Sequence, residues 1–378
     1  MTEQIERTYF VQQLLRWFIK HQRDLPWRQT KDPYKIWVSE IMLQQTRVDT
    51  VIPYYERFLD RFPTVQALAE APEADVLKLW EGLGYYSRAR NLQQAVREVQ
   101  ATYDGVVPSE PDAFSALKGV GPYTKGAVLS IAYNRPEPAV DGNVMRVLSR
   151  YFLIEEDIAR PATRKKMEQL IREMIPHEDA GDFNQGLMEL GALVCTPRSP
   201  SCLTCPVMEH CQARLEGKEE QLPVKKKAKA PRKEYRVAAL IAAPIEEEQG
   251  GFSSFRYVMR QRPDTGLLAQ MWELPHLETV REENPSEGLA DRSDLKQLAE
   301  MIRQETGIAV KPVELLLETE HIFSHIHWYM NVYVFSPDST GASQQMQANR
   351  YRWVSRPELE QLALPNVFVR VFQHLFAK

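Results

Sequence analysis

The sequence predicts a two-domain protein, with an all-α domain through about residue 215 followed by an α+β domain from residue 234. Apolar residues recur at helical spacing throughout the first half, β-branched and aromatic residues crowd into short runs in the second, and a Lys-rich stretch divides the two. At 378 residues the chain is long enough for each half to bury its own core. With 43% apolar and 26% charged residues it has the composition of a globular protein, and no apolar run approaches bilayer-spanning length. The N-terminus "MTEQIERTYF" lacks the basic and apolar regions of a signal peptide, so the expectation is a cytoplasmic protein with no membrane partner. The formal net charge of −4 does not advertise a nucleic-acid binder, but phosphate contacts depend on local patches rather than on the average.

In chain order, helical patterns run through "TYFVQQLLRWFIKHQ", "TRVDTVIPYYERFLDRF", "EADVLKLWEGL", "SRARNLQQAVREVQATY" and "TRKKMEQLIREMI". The stretch "IWVSEIMLQQTRV", Ile36 to Val48, reads as one further helix, with Ile36, Trp37, Ile41, Met42, Leu43 and Val48 at core spacing. Glu40 lies within this apolar run, on the face that carries Ile36, Leu43 and Arg47. Two readings stand: a surface pair with Arg47, or a buried acid whose pKa rises until it keeps its proton, as a general acid requires.

"LKGVGPYTKGAVLSIAY" places Gly119 and Gly121 in a tight turn before an apolar helix, where backbone N–H groups can approach a phosphate or simply connect two helices. In "PAVDGNVMRVLSR", Asp141 precedes Gly142 and Asn143, and both helix capping and chemistry are open to it.

All four cysteines fall in "CTPRSPSCLTCPVMEHC": Cys195, Cys202, Cys205 and Cys211, spaced C-x6-C-x2-C-x5-C. In a chain read as cytoplasmic, clustered thiols point to metal rather than disulfides. One short hook flanked by single cysteines favours a four-iron, four-sulfur (4Fe-4S) cluster over zinc, with a structural role that clamps the end of the helical domain.

The segment Glu216–Lys233 reads as a linker, and "KKKAKAPRK" within it carries six basic residues in nine, either a solvated tether or a phosphate contact. Beyond it, "RVAALIAAPI", "FRYVMRQR" and "HWYMNVYVFS" read as strands, and "DRSDLKQLAEMIRQETG" as a helix started by Asp and stopped by Gly307.

Taken together, "LPWR", "SEIMLQQT", "LKGVGPYTKGA", "VDGNV" and the cysteine run resemble the helix-hairpin-helix DNA glycosylases, most closely the adenine DNA glycosylases (MutY family), and the C-terminal domain resembles a Nudix fold. The resemblance covers nearly the whole chain. It implies a base-excision repair enzyme that flips out adenine opposite 8-oxoguanine or G in double-stranded DNA, acts as a monomer and holds one 4Fe-4S cluster through Cys195, Cys202, Cys205 and Cys211. It implies that Glu40 protonates adenine N7, that Asp141 stabilises the oxocarbenium-like sugar or adds to it, and that Asn143 and Tyr123 hold the geometry. It further implies DNA contacts by Trp27, Arg28, Gln45, Tyr85, Gly119, Gly121 and Gln185, with Gln45 and Tyr85 filling stack space beside a flipped base. "FSH", Phe323, Ser324 and His325, is implied to meet the lesion. Lyase relatives resembling endonuclease III carry Lys where this chain has Tyr123, and Lys125 is expected to face away, so the enzyme reads as monofunctional. The Nudix-type acids are incomplete: "EMIRQETG" offers Glu300, Met301, Gln304 and Glu305, so diphosphate hydrolysis reads as lost and the domain as a recognition module. The alternatives are an endonuclease III-like lyase for oxidised pyrimidines, which Tyr123 and the extra domain argue against, and a non-catalytic DNA-binding protein on the same scaffold.

Overall fold

A computed structural model describes residues 2–226, 229–245, 255–280, 289, 292–338 and 350–377. The chain forms two compact units, one of residues 1–79 with 87–228 and one of residues 80–86 with 229–378.

The first unit is helical: α1 (Thr2–His21), α2 (Pro33–Leu43), α3 (Val48–Arg61), α4 (Val65–Glu70), α5 (Glu73–Leu79), α6 (Ser87–Thr102), α7 (Pro111–Ala116), α8 (Pro122–Tyr133), α9 (Gly142–Tyr151), α10 (Pro161–Met174), α11 (Ala180–Leu193) and α12 (Gln212–Leu215). Local chemistry sets the boundaries. Asp32 caps α2 by accepting from the Tyr34 and Lys35 amides, with Pro33 at the first helical position. Asn134 closes α8 in the left-handed conformation, φ 53°. Gly119 turns the chain at φ 77°, and a Cβ there would meet the Asn91 Cβ at 2.7 Å, so only glycine fits.

The expected single helix from Ile36 to Val48 is in fact two. α2 stops at Leu43, Gln45 takes φ 61°, and α3 begins at Val48. The main core joins Phe10 and Leu14 of α1, Val144, Val147 and Leu148 of α9, Met167 and Ile171 of α10, and Phe183, Leu187 and Leu190 of α11. Cys195, Cys205 and Cys211 pack against this core. The first part of the expected linker is also folded: Leu222 is buried, its carbonyl accepts from Arg150 Nε at 3.0 Å, and the Val224 carbonyl accepts from the Ile158 amide at 3.0 Å. Lys227 and Ala228 of the basic stretch lie outside the described residues, whereas Arg232 and Lys233 already belong to a strand.

The second unit contains β1 (Arg232–Pro244), β2 (Phe255–Gln261), β3 (Trp272–Glu273), β4 (His276–Thr279), α13 (Ser293–Thr306), β5 (Val310–Ile322), β6 (Ile326–Pro337), β7 (Tyr351–Ser355), α14 (Arg356–Leu359) and α15 (Asn366–Phe376). The sheet order is β3-β2-β1-β6-β5, with β4 on β1 and β7 on β2. β1 and β6 run parallel in register Arg232↔Ile326 through Ile241↔Phe335, and the other pairs are antiparallel. Strand alternation distributes two cores. Val237, Ala239 and Ile241 meet Leu295, Leu298 and Ile302 of α13, while Ala238, Leu240 and Trp328 meet Val367, Phe368 and Val371 of α15. Gly307 ends α13 at φ 78° as expected, and the Asp291 expected at its start lies outside the described residues. Within this unit the stretch Trp80–Tyr86 is tied down by Glu81, whose Oε1 accepts from the Leu364 amide at 2.6 Å.

Candidate active site

Glu40 sits on α2 between Ser39 and Ile41, both buried, and is itself 4% exposed. Its partner is not Arg47. The Tyr123 hydroxyl, one residue into α8, donates to Glu40 Oε2 at 2.6 Å, and Met188 Sδ lies 3.4 Å from the Tyr123 hydroxyl oxygen. Burial raises the Glu40 pKa to about 7, the negative charge of Asp141 adds to the rise, and the Tyr123 hydrogen bond and Arg28 oppose it. Burial and both nearby carboxylates push the Tyr123 hydroxyl well above its ordinary value, so it stays a donor.

Asp141 is both a cap and a site carboxylate. Its Oδ1 accepts from the Val144 amide at 2.7 Å, capping α9, and its Oδ2 accepts from Asn143 Nδ2 at 2.9 Å. Burial raises its pKa, against these hydrogen bonds and the Arg146 charge. Sequence reading missed Arg146. Its Nη2 donates to Asn143 Oδ1 at 2.9 Å and to the Gly191 carbonyl at 2.7 Å, while Nε donates to the Cys195 carbonyl at 2.7 Å. An arginine has no acceptor, so this contact fixes which end of the Asn143 amide faces Asp141. The available signal was spacing alone, since Arg146 stands three residues after Asn143 on the same helix.

Glu189, also unread in the sequence, is 1% exposed and takes hydrogen bonds from Arg23 Nε and Nη2 at 2.9 and 2.7 Å and from Arg28 Nη1 and Nη2 at 3.0 and 2.9 Å. Burial works against its charge, but the two arginines bring its pKa down to about 2. Arg28 is thus held by Glu189 and covers the Phe18 ring. Trp27 is buried edge-on to Tyr55, and Gln185 is buried with its amide on the Gly181 carbonyl at 3.4 Å. Gln45 is exposed, and Gly119 and Gly121 form the turn leading into α8. Lys125 does turn away from the site, to Glu137 at 3.0 Å.

In the second unit Tyr85 is 46% exposed, at φ 47°. The hairpin between β5 and β6 carries Phe323, Ser324 and His325. Ser324 and His325 are exposed, with Ser324 Oγ 3.1 Å from His325 Nδ1. The half-buried Phe323 ring packs edge-on against Trp328 at 4.9 Å and His321 at 4.6 Å, which ties the hairpin to the sheet. Glu300 is occupied by Arg303 and Gln304, and Glu305 by Tyr351.

The four cysteines line one cavity with Arg150, Arg214, Glu219 and apolar Val194 and Met208. Arg150 Nη1 donates to Cys195 Sγ at 3.2 Å and to the Thr196 carbonyl at 2.7 Å. Burial pushes the Cys205 thiol up to about 12 and raises those of Cys202 and Cys211, so these sulfurs need a bound cation to remain thiolates. Among the described residues no three Cys, His, Asp or Glu side chains converge on one ion position. Four sulfurs lining one cavity are the donor set that an iron-sulfur cluster takes.

Residues 38–176 match the HhH-GPD superfamily of base excision DNA repair proteins, 195–211 the iron-sulfur binding domain of endonuclease III, and 252–374 the NUDIX domain. The adenine DNA glycosylase of Mus musculus is 34% identical over 97% of this chain and 78% of its own length. That of Homo sapiens is 34% identical over 97% and 74%, and that of Schizosaccharomyces pombe 32% over 96% and 88%. Among solved structures, a thermostable thymine-DNA glycosylase is 30% identical with a TM-score of 0.52, covering 57% of this chain and all of its own (100%).

Proposed function

The chain belongs to the adenine DNA glycosylase family, and from that premise we propose that it removes adenine paired with 8-oxoguanine, or with G, from double-stranded DNA. A DNA glycosylase of base excision repair must extrude its target base to reach the glycosidic bond. The observation that carries the proposal is the buried Glu40, hydrogen-bonded to Tyr123, with a pKa of about 7. That value leaves a proton available at neutral pH.

In this reading Glu40 donates its proton to adenine N7. The C1′–N9 bond then breaks with its electron pair going to the base, and positive charge develops on the sugar. Asp141, pinned by Val144 and Asn143, offsets that charge or bonds to C1′ transiently. Water finally adds its oxygen to C1′ and gives up a proton to the Glu40 carboxylate, which restores the acid. Tyr123 offers no amine, and Lys125 is engaged by Glu137, so no Schiff base forms and the strand stays intact. Arg28 and Trp27 line the base-binding side with Gln185, Gln45 and Tyr85 fill stack space, the turn at Gly119 and Gly121 meets phosphate, and Ser324 and His325 on the Phe323-anchored hairpin read the oxidised base. Residues 1–215 thus carry catalysis and 234–378 recognition.

Cys195, Cys202, Cys205 and Cys211 would hold one 4Fe-4S cluster, which would supply a structural clamp when bound. Elemental analysis of anaerobically purified protein should find about four irons and as many sulfides per chain. Stoichiometric zinc without sulfide would reverse that assignment.

The test of function is incubation with duplexes bearing A opposite 8-oxoguanine or thymine glycol opposite A, each split between alkali and no alkali. We expect breakage of the first duplex only, and only after alkali. Breakage without alkali, or activity confined to thymine glycol, would assign a lyase for oxidised pyrimidines instead.

A further inference from the structure

α2, which carries Glu40, is stopped rather than worn out. The carbonyls of Ile41, Met42 and Gln44 all accept from a single nitrogen, Arg88 Nη1, at 2.7, 3.1 and 2.5 Å, and Arg88 Nη2 lies 3.5 Å from Thr46 Oγ1. Carbonyls at a helix C-terminus lack intrahelical partners and concentrate partial negative charge, so a guanidinium there is favoured on both counts. The residue that follows, Gln45, holds φ 61°, a left-handed backbone that a non-glycine residue keeps only when its surroundings enforce it. Gln44 is pulled the other way, its Nε2 donating to Thr124 Oγ1 at 3.2 Å. The turn is therefore gripped from α6 through Arg88 and from α8 through Thr124, and only Gln45 projects outward.

We propose that Arg88 is a positioning residue that sets the 44–46 turn so that Gln45 meets the duplex already in its bound conformation. The inference rests on the reading above, in which Gln45 fills the stack beside the extruded adenine. Preorganisation of this kind saves the ordering cost at the moment of binding. Arg88 acts on the turn and not on the acid, because the proton of Glu40 is governed by burial, Tyr123, Asp141 and Arg28.

The experiment is a double-mutant cycle in the full-length protein. Affinity is measured at one fixed salt concentration for a duplex with 2′-fluoro-2′-deoxyadenosine opposite 8-oxoguanine, a substrate analogue that resists cleavage. Arg88→Ala and Gln45→Ala should each weaken binding about tenfold, within the range of coupling between residues that act together, and the double variant should be no worse than either single one. Arg88→Lys should recover most of the affinity, and the midpoint of the pH profile for single-turnover excision should not move. An equal penalty for Arg88→Ala in both backgrounds, wild-type binding by Gln45→Ala, or a displaced pH midpoint would each overturn the proposal. Should Arg88→Ala fail to melt cooperatively, Arg88→Gln takes its place under the same criteria. Wild-type excision measured alongside separates the two levels: its absence removes the function, whereas an additive cycle in an active enzyme removes only the role of Arg88.

Discussion

Burial and the nearby Asp141 charge lift the Glu40 pKa to about 7, and Tyr123 and Arg28 only partly offset those effects. In the proposed role Glu40 works in its protonated form, so single-turnover excision should fall as pH rises through about 7, and should fall again in acid as Asp141 takes up a proton. Glu40→Gln should slow excision by roughly two to four powers of ten while leaving mismatch affinity intact, as a gel-shift beside a quenched time course will report. The same proton also links folding to pH, in the same direction. Its folded pKa lies above the ordinary carboxylate value of 4.5, so the folded state binds the proton more tightly, and stability is lost as pH rises from there through about 7. Glu40→Gln should therefore melt at a higher temperature than wild type at pH 8, with a stability gain of roughly 3 kcal/mol at most. A lower melting point at that pH would show that Glu40 is not buried as an uncompensated acid. Tyr123→Lys places an amine beside the same carboxylate, and we expect weak strand nicking with an adduct trapped by borohydride. No adduct would break the correspondence between Tyr123 and the lyase nucleophile.

At the scale of elements, the site depends on how closely α9 and α11 approach. A Cβ at Gly191 would stand 2.7 Å from Asn143 Cβ and 3.1 Å from its backbone carbonyl oxygen. Gly191→Ala should push the two helices apart, costing about 1–3 kcal/mol of stability by thermal melting, and should slow single-turnover excision more than it weakens mismatch binding. Wild-type excision in a destabilised variant would separate helix packing from catalysis. Legibility in the sequence follows the range of the forces involved. Local signals were readable: the Asp141 cap, the Gly307 stop and the periodicity that buries Ile36, Trp37, Ile41 and Met42. The break after Leu43 was not, because it is imposed by Arg88, 45 positions beyond that residue in the chain, and nothing between Ile36 and Val48 is a helix breaker. Nor were Arg146 and Glu189, whose partners come together only when α9, α11 and the segment before α2 pack. Strand β5 escaped for a different reason: "VELLLETEHI" has no clean alternation, since its register slips between Pro312 and Glu314 and again between Leu315 and Leu317.

Across the whole molecule, the proposed function gives chemistry and discrimination to separate units, which predicts that they are separable by mutation. Changing Ser324 and His325 together to Ala should shrink the preference for A opposite 8-oxoguanine over A opposite guanine, by about 0.5–1.5 kcal/mol for each hydrogen bond lost, while cleavage of bound substrate changes less. The measurement is a pair of dissociation constants at one salt concentration, since phosphate contacts make affinity salt-dependent. An unchanged ratio would move lesion reading to the helical unit. No helix among the described residues is long and apolar enough to cross a membrane. β5 closes one side of the sheet, and a regular strand there would be a template for a second chain. Its two register slips break the ladder, Pro312 withholds an amide, and Glu314, Glu318 and Glu320 are exposed along it, so an approaching copy would meet mismatched backbone and its own charge. Concentrated solutions of this protein should accordingly resist fibrous, sheet-to-sheet growth.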